Sequence, residues 1–245
     1  MKRLAIVGAR GRMGRRLVAL AGEYAFSVSA AIDADGPALA DAARRADVVI
    51  DFSARAQVSE TCAYCATHDV PLVLGTTGLE AADHAALDRL AEVVAVVQAP
   101  NFSVGVNALF DLVAEAARLL NEGWDVELVE AHHKHKVDAP SGTAKELARR
   151  VAEARGWSLD AAARHGREGL VGARPAGELG IHAVRGGSVV GEHRMLFLGE
   201  GEEVVLEHRA LDRDIFVRGA LVAARWLADG RAPGRYGMGD VLRTR

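Results

Sequence analysis

Over the first hundred residues, short apolar runs alternate with stretches in which apolar positions recur every three or four residues. The runs at 4–7, 28–32, 48–51, 72–75 and 93–97 are almost wholly apolar, as expected of strands covered on both faces. Helical spacing between them predicts βαβ units, and hence a parallel sheet with helices on both sides. The period then lengthens: Val106, Leu109, Phe110, Val113, Ala117 and Leu120 fall on one face of an amphipathic helix over 104–120.

Beyond residue 120 the rhythm changes. A strand is expected over 126–130, a helix over 144–155, and strands over 180–185, 188–198 and 203–208, separated by Gly186-Gly187 and by a Gly-Glu-Gly-Glu turn at 199–202. Strands joined by short turns predict an antiparallel or mixed sheet. A final helix over 216–227 aligns Val217, Ala220, Leu221, Ala224 and Leu227. The fold class expected is α/β: an N-terminal doubly wound parallel sheet of Rossmann type, plus a second α+β domain with an open mixed sheet. The first domain takes 1–103 and 213–245 and the second 104–212.

Composition narrows the function classes. Of 245 residues half are apolar and 26% charged, with a formal net charge of −3, so the chain has material for large cores but no global field for nucleic acid or an anionic membrane. The apolar run after Met1-Lys2-Arg3 is broken at Arg10 and is too short for a signal segment, and no apolar stretch has spanning length; a cytoplasmic location is expected. Cys62 and Cys65 sit in a helical pattern with no second ligand pair, which favours buried free thiols over zinc or redox use.

Two segments carry chemistry. Strand 4–7 runs into Gly8-Ala-Arg-Gly11-Arg-Met-Gly14 and a helix, which aims free backbone N–H groups and a helix dipole at an anion such as a pyrophosphate. The spacing is G-x-x-G-x-x-G, so Arg10 stands where the common dinucleotide fingerprint has its middle glycine. Asp33 ends the second strand where an acid receives the adenosine ribose hydroxyls, and Ala34 supplies no cation for a 2′-phosphate. NADH is therefore expected as the preferred cofactor, with NADPH still open through Arg10 and Arg12. Gly75-Thr76-Thr77-Gly78 and Ala99-Pro100-Asn101-Phe102 end the fourth and fifth strands, where a doubly wound sheet lines its crevice.

The other segment is Glu130-Ala-His132-His133-Lys134-His135-Lys136-Val-Asp138-Ala-Pro140-Ser141-Gly142-Thr143-Ala144. Interleaved lysines and the lack of a nearby cysteine argue against a metal site, and the absence of aromatic residues argues against a nucleic-acid patch. Ser141-Gly142-Thr143 opens a helix, with Thr143 and Glu146 spaced as a capping box, and first-turn N–H groups with two hydroxyls suit a carboxylate. Histidine supplies a proton donor that titrates near neutral pH.

With Gly11-Arg-Met-Gly14, Ile50-Asp-Phe-Ser53, Gly75-Thr-Thr-Gly78, Asn101-Phe-Ser-Val-Gly-Val-Asn107 and Val190-Gly-Glu-His193, this segment resembles the 4-hydroxy-tetrahydrodipicolinate (dihydrodipicolinate) reductase family, in order over essentially the whole chain. The resemblance implies reduction of a cyclic dicarboxylate in the diaminopimelate route to lysine. It places the pyrophosphate on Gly8, Ala9, Arg10, Gly11, Arg12 and Met13, the ribose on Asp33, and the nicotinamide side on Gly75, Thr76, Thr77, Ala99, Pro100, Asn101 and Phe102. It makes His132 and Lys136 proton donors and His133, Gly142 and Thr143 substrate contacts, to which the reading of the helix start adds Ser141. It also implies a homotetramer built on the second domain's sheet. Glu130 and Asp138 either orient a histidine or are solvated acids, and Arg213 is a hinge or substrate contact or an exposed helix-start residue. The short stretch between Asp33 and Asp47 departs from longer members and weakens transfer of cofactor preference. Another two-domain NAD-dependent dehydrogenase, or a dinucleotide-binding regulator without catalysis, remains open at this point; the first lacks a reason for the Ser-Gly-Thr turn, and the second for keeping both His132 and Lys136.

Overall fold

The structure is a computed structural model that describes residues 1–33, 35–36, 39 and 46–244. The chain forms two compact units, Met1–Val104 with Asp214–Arg245, and Gly105–Arg213.

In the first unit, strands β1 (Lys2–Val7), β2 (Phe26–Ile32), β3 (Val48–Asp51), β4 (Leu72–Leu74), β5 (Ala95–Gln98) and β11 (Gly234–Tyr236) make a six-stranded sheet in the order β11-β5-β4-β3-β1-β2. Every neighbouring pair is parallel. Period-two alternation divides the apolar runs between two cores. Leu4, Ile6, Val48, Ile50, Val73 and Val97 pack with Leu17 of α1 (Arg12–Leu20) and with Val217, Leu221 and Ala224 of α7 (Asp214–Ala228). Ala5, Val7, Val49, Leu72, Leu74 and Val96 pack with Val58, Cys62 and Cys65 of α2 (Arg55–His68) and Leu87 and Leu90 of α3 (Ala81–Ala91). Both cysteines are buried and unpaired, and burial pushes the Cys62 thiol up to about 11, so neither is a ready nucleophile. The strand over 93–97 begins two residues later than its apolar run suggests, and β11 is too short and polar to stand out in the sequence.

The second unit holds β6 (Asp125–His132), β7 (Ala163–His165), β8 (Leu179–Arg185), β9 (Gly191–Leu198) and β10 (Glu203–Ala210) in the order β10-β9-β6-β8-β7. The sheet is mixed: β6, β8 and β7 run parallel, while β9 is antiparallel to both β6 and β10. The turn at Gly186-Gly187 suggests a hairpin between β8 and β9, but β6 lies between them. Helices α4 (Val104–Leu119) and α5 (Gly142–Arg155) cover one face through Val106, Phe110, Val113, Leu147 and Val151, packed on Val126, Leu128, Leu179, Ile181, Met195 and Phe197. Two short α-helices, α6 (Leu159–Ala162) in this unit and α8 (Met238–Arg243) in the first, and a 3-10 helix at Ala21–Tyr24 are also present. No helix of the described residues is long and apolar enough to cross a membrane.

Candidate functional site

In the first unit, strand order reverses beside β1, between its neighbours β2 and β3, and the glycine loop lies there at the strand's carboxyl end. Helix α1 starts at Arg12, earlier than the apolar pattern suggests, on an N-cap, Gly11, that contributes no side-chain hydrogen bond. Arg12, Met13 and Gly14 therefore form its first turn, leaving uncapped N–H groups as an anion site. The glycines are sterically demanded. Gly8 has φ +82°, and a Cβ there would meet the Phe52 carbonyl oxygen at 2.8 Å. A Cβ on Gly14 would lie 2.1 Å from the Gly8 oxygen. A cavity of about 330 Å³ is lined by Val7, Gly8, Gly11, Asp33, Phe52, Ser53 and Gln57, among others.

Asp33 points into this loop: its carboxylate accepts from the Arg10 N–H at 3.0 and 3.1 Å. The Arg10 guanidinium pairs with Asp35 at 2.7 Å and lies 3.7 Å from Asp33. Ala34 lies outside the described residues. Further along the sheet, Phe52 and Phe102 rings sit 5.5 Å apart, and Gly75 leaves room for the Phe52 ring. Ala99 and Phe102 are buried, Pro100 and Thr77 exposed, and Asn101 accepts from the Ser103 N–H through its side-chain oxygen. Asp51 is a residue the sequence reading gave no role. Fully buried, it accepts from the hydroxyls of Ser53, Thr61 and Thr76, so Thr76 braces the β3 and β4 ends against each other.

In the second unit the site grows out of the buried sheet rows. Along β6 the helix-covered row reads Val126, Leu128, Glu130, His132; along β8 it reads Leu179, Ile181, Ala183, Arg185; along β9, Phe197, Met195, His193, Gly191. Each row begins apolar and ends polar or bare at the same end. Glu130 is fully buried there and accepts from His132 Nδ1 at 2.6 Å, from both Arg185 amino groups at 2.7 and 2.8 Å, and from the Ser141 N–H at 3.1 Å. Burial works to raise the Glu130 carboxyl, but Arg185, His132 and the Ser141 N–H outweigh it and hold it below the usual range. Burial lowers the His132 pKa, with Glu130 opposing and Lys136 and Arg185 adding to the fall.

The strand expected over 126–130 thus continues to His132, which leaves the histidine on a rigid strand end instead of in a loop. The capping box expected at Thr143 is not formed. Ser141 is the N-cap, its hydroxyl accepting from the Ala144 N–H, while Glu146 is engaged by Arg149 and Arg150. The cap falls two residues earlier because the Ser141 hydroxyl also meets His193 Nε2 at 3.1 Å inside the core. Gly142 is exposed with open space where a side chain would project. Lys136 pairs with Asp138 at 2.9 Å, and His133 Nε2 lies 3.3 Å from Arg213. His135 is exposed, its ring 6.2 Å from that of His133. Arg185 and His193 were given no role from the sequence, although Arg185 ends one alternating row and His193 stands next to the end of another, so that signal was available. Among the described residues no group of three or more histidine, cysteine or acidic side chains is placed to hold a metal ion.

Models of the dihydrodipicolinate reductase N-terminus and C-terminus match residues 2–102 and 105–242. The chain is 45% identical over 262 residues to a 4-hydroxy-tetrahydrodipicolinate reductase of Thiobacillus denitrificans, covering 98% of each protein. It is 46% identical over 269 residues to that of Myxococcus xanthus, covering 99% of this chain and 98% of the other. Among solved structures, the dipicolinate-bound dihydrodipicolinate reductase of Paenisporosarcina sp. TG-14 superposes with a TM-score of 0.77 at 28% identity, covering 97% of both chains. With both halves matched and the relatives aligned end to end, this chain belongs to the dihydrodipicolinate reductase family.

Proposed function

We propose that this chain reduces 4-hydroxy-tetrahydrodipicolinate to tetrahydrodipicolinate with NAD(P)H, in the diaminopimelate route to lysine. The observation that supports this best is the buried Arg185–Glu130–His132 network ending at the helix turn Ser141-Gly142, in a chain whose relatives carry that name along their full length.

The glycine loop suits a dinucleotide, because its close backbone packing leaves no place for side chains and its helix start is uncapped. Gly8 to Met13 would hold the pyrophosphate, and Asp33 would exchange the Arg10 N–H for ribose hydroxyls. Gly75 to Thr77 and Ala99 to Phe102 would line the nicotinamide side, braced through Asp51. When bound, the reduced nicotinamide supplies a hydride, which the substrate receives at C4. Arg10 is already held by two acids and Ala34 adds no cation, so NADH is the preferred donor.

In the second unit, Gly142 and Thr143 take one substrate carboxylate, with the Ser141 hydroxyl holding the turn beneath them. His133 with Arg213 meets the other. Lys136 leaves Asp138 to protonate the departing C4 hydroxyl, which goes as water, while His132 Nε2 takes the proton lost from C3. After hydride addition at C4, His132 returns a proton to C3 through Nε2. The chain acts as a homotetramer formed through the second unit's sheet, in the cytoplasm.

NADH oxidation is followed with substrate made freshly from pyruvate and aspartate semialdehyde. Turnover is the expected result; none from folded protein sinks the reading, and an NADPH kcat/KM about tenfold above that for NADH overturns the cofactor preference.

A further inference from the structure

We propose that Glu130 is the positioning residue for the reacting histidine: its carboxylate accepts a hydrogen bond from the Nδ1–H of His132, which fixes the ring's tautomer and makes Nε2 the nitrogen that exchanges a proton with substrate. This rests on the reading of His132 as the donor.

The tautomer follows from the donor inventory around Glu130. Arg185 offers two N–H groups, at 2.8 Å to Oε2 and 2.7 Å to Oε1, and Ser141 offers its backbone N–H at 3.1 Å to Oε1. These groups can only donate. Both oxygens thus accept from obligate donors, and protonating the carboxyl would remove the charge that the Arg185 guanidinium pairs with, a pairing that holds Glu130 below the usual carboxylate range. Glu130 is ionised, and the hydrogen in the 2.6 Å contact belongs to His132 Nδ1. The opposite nitrogen makes no hydrogen bond among the described residues. Its nearest strand neighbour is Gly191, where a Cβ would come within 3.1 Å of Nε2, so the bare glycine keeps that nitrogen open.

The same guanidinium extends the arrangement. Arg185 donates to the Asp138 carbonyl at 2.7 Å, and Asp138 holds Lys136, so one cation fixes the orienting carboxylate and the turn that carries the second donor. The charged and titratable groups facing His132 are Glu130, Lys136 and Arg185, with His193 edge-on at 5.2 Å between ring centres. Glu130 is the one anion among them. Once His132 takes up a proton, Glu130 stabilises the imidazolium against the two cations, and without it the ring would be a poorer base and freer to rotate.

The test combines nitrogen-15 spectra of His132 with kinetics. In the wild-type protein the neutral ring is expected to carry its proton on Nδ1, which needs no variant to fold. Glu130→Gln should mix the tautomers, lower kcat by about 100-fold with little change in KM for NADH, and move the His132 limb of the pH profile to lower pH. Glu130→Asp should restore part of the kcat and of the tautomer. In a His132→Gln background, Glu130→Gln should add no further loss, because it acts through the ring. A wild-type proton on Nε2, or losses that multiply in the double variant, overturns the proposal. If His132→Gln alone keeps kcat, the donor reading fails, while the tautomer spectrum still decides whether Glu130 sets the ring.

Discussion

The first unit presents backbone and the second presents side chains. At Gly8 and Gly14 the chain comes so close to itself that a single methyl would collide with a carbonyl, and recognition is left to N–H groups at the start of α1. At Glu130, His132, Arg185 and His193 the reverse holds: charged and titratable groups occupy positions that continue apolar rows, and the pairing of Glu130 with His132 and Arg185 offsets the penalty of its burial. A dinucleotide offers the same phosphates to every enzyme, so a steric template suffices. A proton must be placed on one atom, and that takes a fixed donor–acceptor network. The first design fails when volume is added, the second when a charge loses its partner.

The largest expected effect is on the steric side. Gly14→Ala should destabilise the first unit by about 3 kcal/mol or more and abolish cofactor binding, since the neighbour at 2.1 Å is backbone and cannot rotate away; calorimetry with an NADH titration reads both. A near-neutral result would mean that the loop yields and the contrast is overdrawn. On the charge side, Arg185→Met keeps the length of the side chain but strands Glu130, which is fully buried. A loss of about 3 kcal/mol in urea unfolding is expected, together with a fall in kcat. If only kcat falls, water has replaced the guanidinium.

His193 sharpens the comparison through pH. Burial, with repulsion from His132 next, drops its pKa from 6.5 to about 3, so the folded state holds it neutral. Between these values the unfolded chain binds a proton that the folded chain refuses, and stability is full above about 6.5 and falls as the pH drops towards 3. His193→Gln should remove up to about 3 kcal/mol of that slope at pH 4, read from unfolding curves across pH 4–7. A smaller effect is predicted for His132, the proposed proton donor. Because burial depresses the His132 pKa, its limb in kcat/KM should fall below 6.5, and the limb in kcat should lie higher, since two substrate carboxylates nearby favour the imidazolium. Identical limbs would mean that the substrate's charges do not reach this ring. Smallest of all, alkylating reagents should leave the folded enzyme's activity intact, because both thiols are buried and the Cys62 thiol sits at about 11.

Much of this was legible in the chain. The near-continuous apolar runs foretold a parallel sheet covered on both faces, and the period-3.6 pattern from Val106 to Ala117 foretold α4. The glycine loop and the segment from Glu130 to Thr143 carried the resemblance to the family to which the chain belongs. Less legible were pairings between distant residues. A glycine turn after β8 reads as a hairpin, because local sequence shows that the chain reverses but not which strand becomes the neighbour; β6 takes that place through its own apolar row. The helix cap shows the same limit. Ser141 and Thr143 are both good caps in isolation, and Ser141 prevails through His193, 52 residues away.

What the sequence by itself determined is the inventory: which strands can be buried, where backbone must pass without side chains, and which residues can donate or bind. What only the tertiary structure decided is the state of that inventory. Glu130 looked equally like a solvated acid or an orienting one until β8 brought Arg185 beside it, 55 residues along the chain. A carboxylate's protonation and a histidine's tautomer depend on charges and donors within a few ångströms, and those distances are set by strand order.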